Sequence, residues 1–195
     1  MALKEASAPQ FKVYIQQVKA NALTLANSLI KLGYKIVTDG TDNHLVLWDA
    51  RPTGLSGSKL EKILEKCEIS VNKNSIFGDT SAINPGGIRL GTPAMTTRGM
   101  VESDMEAIAS LLHRVTMLGQ RIQQEGLQRK KVDVDSAAVS GVGAGSDSLK
   151  VSAPVMKLTE FVGALSAEEY AGDLSAIRCD VEKLSTSFPL PGLKP

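Results

Sequence analysis

Arg89 is the residue in this sequence best placed to bind an anionic ligand. It lies in a short β-rich segment bounded by glycines, Gly87–Gly91, directly after the turn formers Pro85 and Gly86. A guanidinium held on a strand can form two parallel hydrogen bonds with a carboxylate, which a lysine cannot reproduce. The alternative is a surface arginine at a sheet edge with no ligand. Residue chemistry alone leaves both interpretations of Arg89 open.

Asn72 and Asn74 begin the polar segment that leads to Arg89. A side-chain amide donates and accepts hydrogen bonds together, which suits the edge of a heterocyclic ligand. Asparagines in loops also commonly bond to their own backbone, and this is the competing interpretation.

The other reactive side chains favour structural roles. His44 and His113 are not at metal-ligand spacing, and the glycine-rich tract Gly141–Gly145 lacks the Gly-Lys-Ser/Thr ending of a phosphate loop. Cys67 and Cys179 are too few for a disulfide scaffold or zinc site, so buried free thiols are expected. The sequence therefore indicates no metal site, and no nucleophile–base pair can be named from it.

Composition excludes several classes of protein. The 195 residues are 43% hydrophobic and 22% charged, which allows an ordinary folded core. A net charge of +1 and 4% aromatic residues argue against nucleic-acid binding. The sequence contains no apolar run of the roughly 18 residues needed for a membrane span, so no membrane partner is expected.

Hydrophobic spacing predicts a long amphipathic helix over residues 10–32 that ends at Gly33. One side of this helix is expected to need an additional packing partner. Two β-rich runs, 35–38 and 44–49, follow it and predict a hairpin. Further on, Ser58 with Glu61 predicts a capped helix start, followed by short strands at 69–71 and 88–91.

The second half predicts another long helix, a linker and a closing helical region. The pair Ser103 and Glu106 indicates where the long helix starts, and Gly126 indicates its end. An α/β or α+β fold with long flanking helices is expected. The predicted units are a linking helix at 1–33, a small α/β domain at 34–127, a flexible Gly/Ser-rich linker or insertion at 128–154, and a C-terminal helical region with a tail at 155–195.

Several segments in one order resemble the C-terminal part of the serine hydroxymethyltransferase family. The closing motif Phe188–Gly192 also resembles that family. The segments that carry the resemblance are Ala2–Glu5, Pro9–Tyr14, Gln17–Asn21, Leu32–Val37, Thr41–Leu45, Val71–Asn74 and Gly87–Ala94.

The resemblance implies the small C-terminal domain of a pyridoxal-phosphate enzyme of the aspartate-aminotransferase fold type, fold type I. That family interconverts serine and glycine, with tetrahydrofolate carrying the one-carbon unit. By this resemblance Arg89 binds the amino-acid carboxylate and Asn74 contacts the folate ring. The loop from Asn72 to Gly87 then lines the mouth of the active site.

The family's Schiff-base lysine lies in a Thr-Thr-Thr-Thr-His-Lys motif, and this sequence contains no such motif. The resemblance therefore implies a fragment with no catalytic residue of its own, inactive without the large domain that holds the cofactor. A non-catalytic interaction or subunit-competing module built from the small domain is the alternative. A standalone binding domain unrelated to the family is a third possibility.

The resemblance also implies serine, glycine and folate as ligands, and sister subunits in a homodimer or homotetramer. We expect the isolated chain to self-associate or to be marginally stable. A cytoplasmic location is expected, with a mitochondrial one left open, and the roles of His44 and Arg98 are not indicated by the sequence.

Overall fold

Four short strands form one antiparallel sheet in the computed structural model, which describes residues 1–81, 83–139 and 156–192. The order across the sheet is β1-β2-β4-β3. Because β1 pairs with β2, the predicted hairpin is confirmed, although its first strand ends at Ile36 and not at Thr38, since Val37–Asp39 form a 3-10 turn. The strands are β1 (Lys35–Ile36), β2 (Leu45–Asp49), β3 (Asn72–Asn74) and β4 (Gly87–Gly91).

Helices account for most of the remaining described residues, so the mixed helix and strand composition agrees with the expected α/β class. The helix predicted at 10–32 is confirmed as α2, and Gly33 follows it with a left-handed φ of 86°. The helices are α1 (Ala2–Ala6), α2 (Pro9–Lys31), α3 (Gly57–Lys66), α4 (Pro93–Thr97), α5 (Glu102–Val139), α6 (Leu158–Ala164) and α7 (Glu168–Thr186).

The sheet has one buried face and one outer face, as its two central strands, β2 and β4, show. Val46 and Trp48 of β2 lie opposite Leu90 and Ile88 of β4, and all four side chains are buried. Because alternate side chains of a strand point to opposite faces, Arg89 lies on the outer face, where it is exposed.

The helices cover the buried face as one connected layer. Both α2 and α3 contact the sheet, and α5 packs against α2, α3, α6 and α7. Side chains from α2, the sheet, α5, α6 and α7 belong to a single cluster of buried apolar residues. The predicted unit boundaries at residues 33 and 155 remain predictions.

Helix α5 is longer than predicted, because it passes through Gly126 and continues to Val139. A Cβ at Gly126 would lie 2.9 Å from Met156 Cε, so this glycine makes room for Met156 and does not end the helix. The predicted linker start at residue 128 is therefore wrong for residues 128–139, and residues 140–155 lie outside the described part of the chain.

The predicted capping residues of α3 are also wrong. Ser56, not Ser58, is the N-cap, and its Oγ accepts a hydrogen bond from Lys59 N at 3.3 Å. Glu61 is unavailable for a capping box because its carboxylate accepts the backbone N–H of Lys73 at 3.0 Å. At α5 the predicted Ser103–Glu106 box is replaced by the Asp104 carboxylate, which accepts from Val101 N.

The strand predicted at 69–71 begins three residues later, at Asn72. The chain is still leaving α3 there, since Glu68 has a left-handed φ of 62° and Ile69 N bonds to Leu64 O. Cys67 is buried beside this turn, and burial raises the pKa of its thiol to about 11. The expectation that Cys179 is also buried is wrong, because it lies on an exposed part of α7.

Candidate functional site

The sheet register brings the two sequence-predicted binding residues to the same face. Asn72 pairs with Arg89 and Asn74 pairs with Gly87. Directly opposed residues on antiparallel strands share a face, and so do residues two apart on one strand. Arg89 and Asn74 therefore lie on neighbouring strands of the outer face, two register positions apart.

Arg89 makes no ion pair or side-chain hydrogen bond with any residue that the structure describes, although its neighbours are well paired. The side chain is exposed and lines a cavity of about 740 Å³. Its donors are thus free to take an anionic ligand.

The side-chain amide of Asn74 already forms one hydrogen bond with the neighbouring backbone. Its side-chain Nδ2 donates to Ser75 O at 2.7 Å, which is the behaviour of a loop asparagine. The amide oxygen accepts no hydrogen bond from the described residues and remains available as an acceptor.

The loop between β3 and β4 is fixed by two aspartates and one arginine. The buried carboxylate of Asp49 accepts from Arg51 Nε and Nη2, each at 2.9 Å, and Arg51 Nη1 donates to Phe77 O at 3.1 Å. The Asp79 carboxylate accepts from the backbone N–H groups of Ile76 and Gly86. These contacts fasten the start and the end of the loop, at Ile76, Phe77 and Gly86, to each other and to Arg51.

This anchoring predicts a loss of stability in acid. Hydrogen bonds from Arg51 hold the pKa of Asp49 below its ordinary 3.8, and backbone hydrogen bonds lower the pKa of Asp79. A lowered folded-state pKa contributes stability that is complete above the unfolded value and is lost as the pH falls through the folded value. Urea unfolding at pH 6, 4.5 and 3 should therefore show stability falling mainly below about pH 4.

The Asp49→Asn variant should be less stable at pH 6 and should lose less between pH 4.5 and pH 3. Asp42→Asn, on the exposed turn before β2, is the matched control and should keep the wild-type slope. An Asp49→Asn variant with an unchanged slope would contradict the assignment.

A polar seam between α2 and α4 positions the strand that carries Arg89. Thr92, just after β4, donates its Oγ1 to Val18 O at 2.9 Å and its N–H to His44 O at 3.1 Å. The fully buried amide of Asn21 donates to Thr96 Oγ1 and to Met100 O, each at 2.9 Å. These bonds join α2, the β1–β2 hairpin and the segment that follows β4.

Sequence reasoning missed Asn21 and the two threonines. The available signal was a polar residue inside the apolar stripe of α2, between Val18 and Leu25. Such a residue needs a buried partner, because an unsatisfied buried amide costs roughly 1–3 kcal/mol.

Arg98 has a clear structural role. Its guanidinium donates to the backbone carbonyls of Ser185, Phe188 and Pro189, with the Phe188 bond at 2.8 Å. These carbonyls lie at and beyond the end of α7, where no helical N–H is left to pair with them. Arg98 therefore fastens the C-terminal segment to the end of α4.

Replacing Arg98 by methionine should release residues 185–192. The loss of hydrogen bonds from a charged donor should cost about 1.5–3 kcal/mol of stability. Hydrogen exchange of the backbone should accelerate in this segment before any other part of α7. The control Arg178→Met removes only an exposed pair with Glu68 and should cost less than about 1 kcal/mol. Equal exchange in both variants would contradict the role of Arg98.

The two histidines occupy different settings. His113 Nδ1 lies 2.7 Å from the hydroxyl of Tyr34, inside the packing between α5 and the sheet. His44 is exposed and lines the same cavity as Arg89. In the described parts of the chain, no three His, Cys, Asp or Glu side chains form a group that could hold a metal. No helix within the described ranges combines the length and apolar character needed to cross a bilayer.

Comparison with known proteins gives one consistent family. The serine hydroxymethyltransferase family model matches residues 1–112. The chain is 58% identical over 125 residues to serine hydroxymethyltransferase 5 of Arabidopsis thaliana, covering 64% of this chain and 27% of that protein. It is 44% identical over 192 residues to serine hydroxymethyltransferase 4 of the same plant, covering 98% of this chain and 34% of that protein.

A mammalian relative matches as fully. The chain is 41% identical over 194 residues to the cytosolic serine hydroxymethyltransferase of Oryctolagus cuniculus, covering 99% of this chain and 35% of that protein. The chain thus spans about a third of the length of the curated relatives it matches.

Proposed function

Because the chain belongs to the serine hydroxymethyltransferase family, we propose that it forms the C-terminal, substrate-contacting part of an enzyme that interconverts serine and glycine with tetrahydrofolate. In this proposal it is the small domain of a fold-type-I pyridoxal-phosphate enzyme. The observation that carries the proposal is Arg89, exposed on β4 with no ionic partner among the described residues.

Arg89 is proposed to bind the carboxylate of serine or glycine. A planar guanidinium meets a carboxylate through two parallel hydrogen bonds, which fix the orientation of the substrate as well as its position. The hydrogen bond from Thr92 to Val18 O and the hydrogen bond from Gly86 N to Asp79 fix the two ends of β4. The donors of Arg89 are therefore positioned before the ligand binds.

Asn74 is proposed to contact the folate ring through its amide oxygen. Its place two register positions from Arg89 on the same face supports a substrate and a cosubstrate bound side by side. The hydrogen bond from its amide nitrogen to Ser75 O holds the side chain in one rotamer.

The residues described here do not by themselves fit pyridoxal phosphate. The cofactor needs an amine from the protein, yet no lysine is among the residues that line the cavity beside Arg89. The buried Lys59 lies elsewhere, with its Nζ 2.5 Å from Gln123 Oε1 and facing the ring of Phe161. We therefore place the cofactor, and the electron-withdrawing chemistry it supplies, on residues outside this chain, and expect the chain alone to be inactive.

Large apolar side chains on the surface support partners for this chain. Phe77 and Ile83, on the loop beside the site, are 98% and 84% exposed, and Val13 on α2 is 68% exposed. We propose that the large domain and sister subunits of a homodimer or homotetramer cover these residues. The cytosolic relatives support a cytoplasmic location, while one Arabidopsis relative is named chloroplastic.

The proposal is tested by a chimera. The matched segment of Arabidopsis serine hydroxymethyltransferase 4 is replaced by this chain, and serine cleavage with tetrahydrofolate is measured. We expect activity from the chimera and none from the chain alone. In the chain alone, pyridoxal phosphate followed by borohydride should label no lysine stoichiometrically. A folded chimera that binds the cofactor but neither serine nor glycine would refute the proposal.

The alternative function is a non-catalytic module that binds family subunits. The exposed Phe77 and Ile83 favour it, because they could cover a subunit surface without any chemistry. Capture of full-length subunits by the purified chain, together with an inactive chimera, would favour this alternative.

A further inference from the structure

A cavity of about 740 Å³ lies beside Arg89, between the sheet edge, α5 and the end of α7. It opens where β3 stops: β3 pairs with β4 only from Gly87 to Arg89, so Leu90 and Gly91 have no strand partner on that side. Both residues line the cavity, together with the segment that precedes β3. A volume of this size lies within the range of about 300–1,000 Å³ typical of small-molecule sites.

The interior of the cavity is mainly apolar. It is lined by Met95, Met105, Ile108 and Leu112 on one side and by Val181 and Leu184 of α7 on the other. Methionine side chains are unbranched and adapt to ligands of different shape. This lining suits a hydrocarbon chain or an aromatic ring.

The charged residues at the opening of the cavity indicate which polar group a ligand would carry. Glu68 pairs with Arg178, and the donors of Arg98 go to backbone carbonyls at the end of α7. Arg89 is left without an acidic partner among the described residues, and Asn72 lies opposite it on β3. Arg98 also lines the cavity without an acidic partner among the described residues, but it already donates to backbone carbonyls, so Arg89 is the arginine whose donors are left for an anion.

We propose that this cavity binds a monocarboxylate with an apolar body. The carboxylate would bond to Arg89 and the apolar body would fill the space between α5 and α7. Because Arg89 is the shared anchor, such a ligand would compete with a small amino acid for the same guanidinium.

The purified chain is titrated with 4-phenylbutanoate, with its neutral analogue 4-phenylbutan-1-ol, and with acetate, and binding is followed by calorimetry and amide NMR shifts. Phenylbutanoate should bind at least about tenfold more tightly than either of the others, because only it has both an apolar body and a charge. Shifts should centre on Arg89, Ile108 and Val181. Binding of phenylbutanoate no tighter than that of its alcohol would overturn the proposal.

Two substitutions test the contacts of the two ends of the ligand separately. Arg89→Gln should weaken phenylbutanoate at least about tenfold and leave the alcohol unchanged, whereas Ile108→Phe should weaken both by filling the interior. Val181→Phe fills the cavity from the side of α7. It is used in place of Ile108→Phe if thermal unfolding shows that Ile108→Phe is misfolded. Lys12→Gln, on the exposed side of α2, is the control and should bind as the wild type does. Full binding by both filling variants would overturn the proposal.

The result is separable from that of the proposed function. In the chimera, serine binding should depend on Arg89 and not on Ile108, because serine has no apolar body to fill the cavity. If Arg89→Gln impairs serine but phenylbutanoate does not bind, the cavity proposal alone fails. If phenylbutanoate binds through Arg89 and serine is unaffected by Arg89→Gln, the assignment of Arg89 to the amino-acid carboxylate fails instead.

Discussion

Replacing Arg89 by glutamine in the chimera is expected to raise the KM for serine by roughly 30- to 1,000-fold. The loss of a two-bonded, charge-assisted contact should cost about 2–4 kcal/mol, and each 1.4 kcal/mol is about a tenfold change in affinity. Arg89→Lys should recover only part of the loss, since an ammonium keeps the charge but not the planar pair of donors.

Steady-state kinetics with serine and with glycine measure this effect. The control is Arg129→Gln, which removes an exposed arginine on α5 whose acidic partners, Glu125 and Glu169, do not line the cavity beside Arg89. Its KM should stay within about twofold of the wild type, as expected for a surface pair. Unchanged affinity for serine and glycine in the Arg89→Gln chimera would remove the carboxylate role from this residue.

Gly57→Ala is expected to destabilise the protein by about 3 kcal/mol. A Cβ at Gly57 would lie 2.3 Å from Gly87 O and 2.8 Å from Pro85 O, and both are backbone atoms that cannot rotate away. Either the start of α3 or the 85–87 segment must shift, which would break the bond from Gly57 N to Pro85 O. Because Gly87 pairs with Asn74, the shift would reach the outer face of the sheet.

Gly172→Ala provides the matched comparison. This glycine lies in the interior of α7, with no atom within 4 Å of an added Cβ. Alanine there should increase stability by about 0.5–1 kcal/mol through helix propensity alone. Urea unfolding of both variants measures the contrast, and a Gly57→Ala protein as stable as the wild type would show that α3 and β4 are not held at this close contact.

Local periodicity was enough to predict α2, the hairpin and β4. The three- and four-residue spacing from Val18 to Leu29 follows one helix face, and alternation over Val46 and Trp48 follows one sheet face. The ends of helices were harder to predict, because long-range contacts compete there with the local capping pattern. Glu61 bonds to Lys73, and Gly126 receives Met156, so neither acts as its local sequence suggests.

The candidate site was only partly visible in the sequence. Arg89 and Asn74 could be named, but their common face depends on a register between strands that are separated by a loop. The loop's anchors, Asp49 and Arg51, come from the hairpin side of the sheet, and no local pattern links them to Asp79. Contacts of this kind depend on tertiary packing and have no signal in spacing or composition.

The packing of α2 has a consequence during synthesis. Asn21 finds its partners in Thr96 and Met100, 75 and 79 residues later in the chain. At a translation rate of about 5–20 residues per second, roughly 4–16 seconds pass between these residues. For that time Asn21 and the part of α2 that packs on α4 and α5 have left the ribosome's catalytic centre without these partners, so this part of the helix stays uncovered until α5 is made.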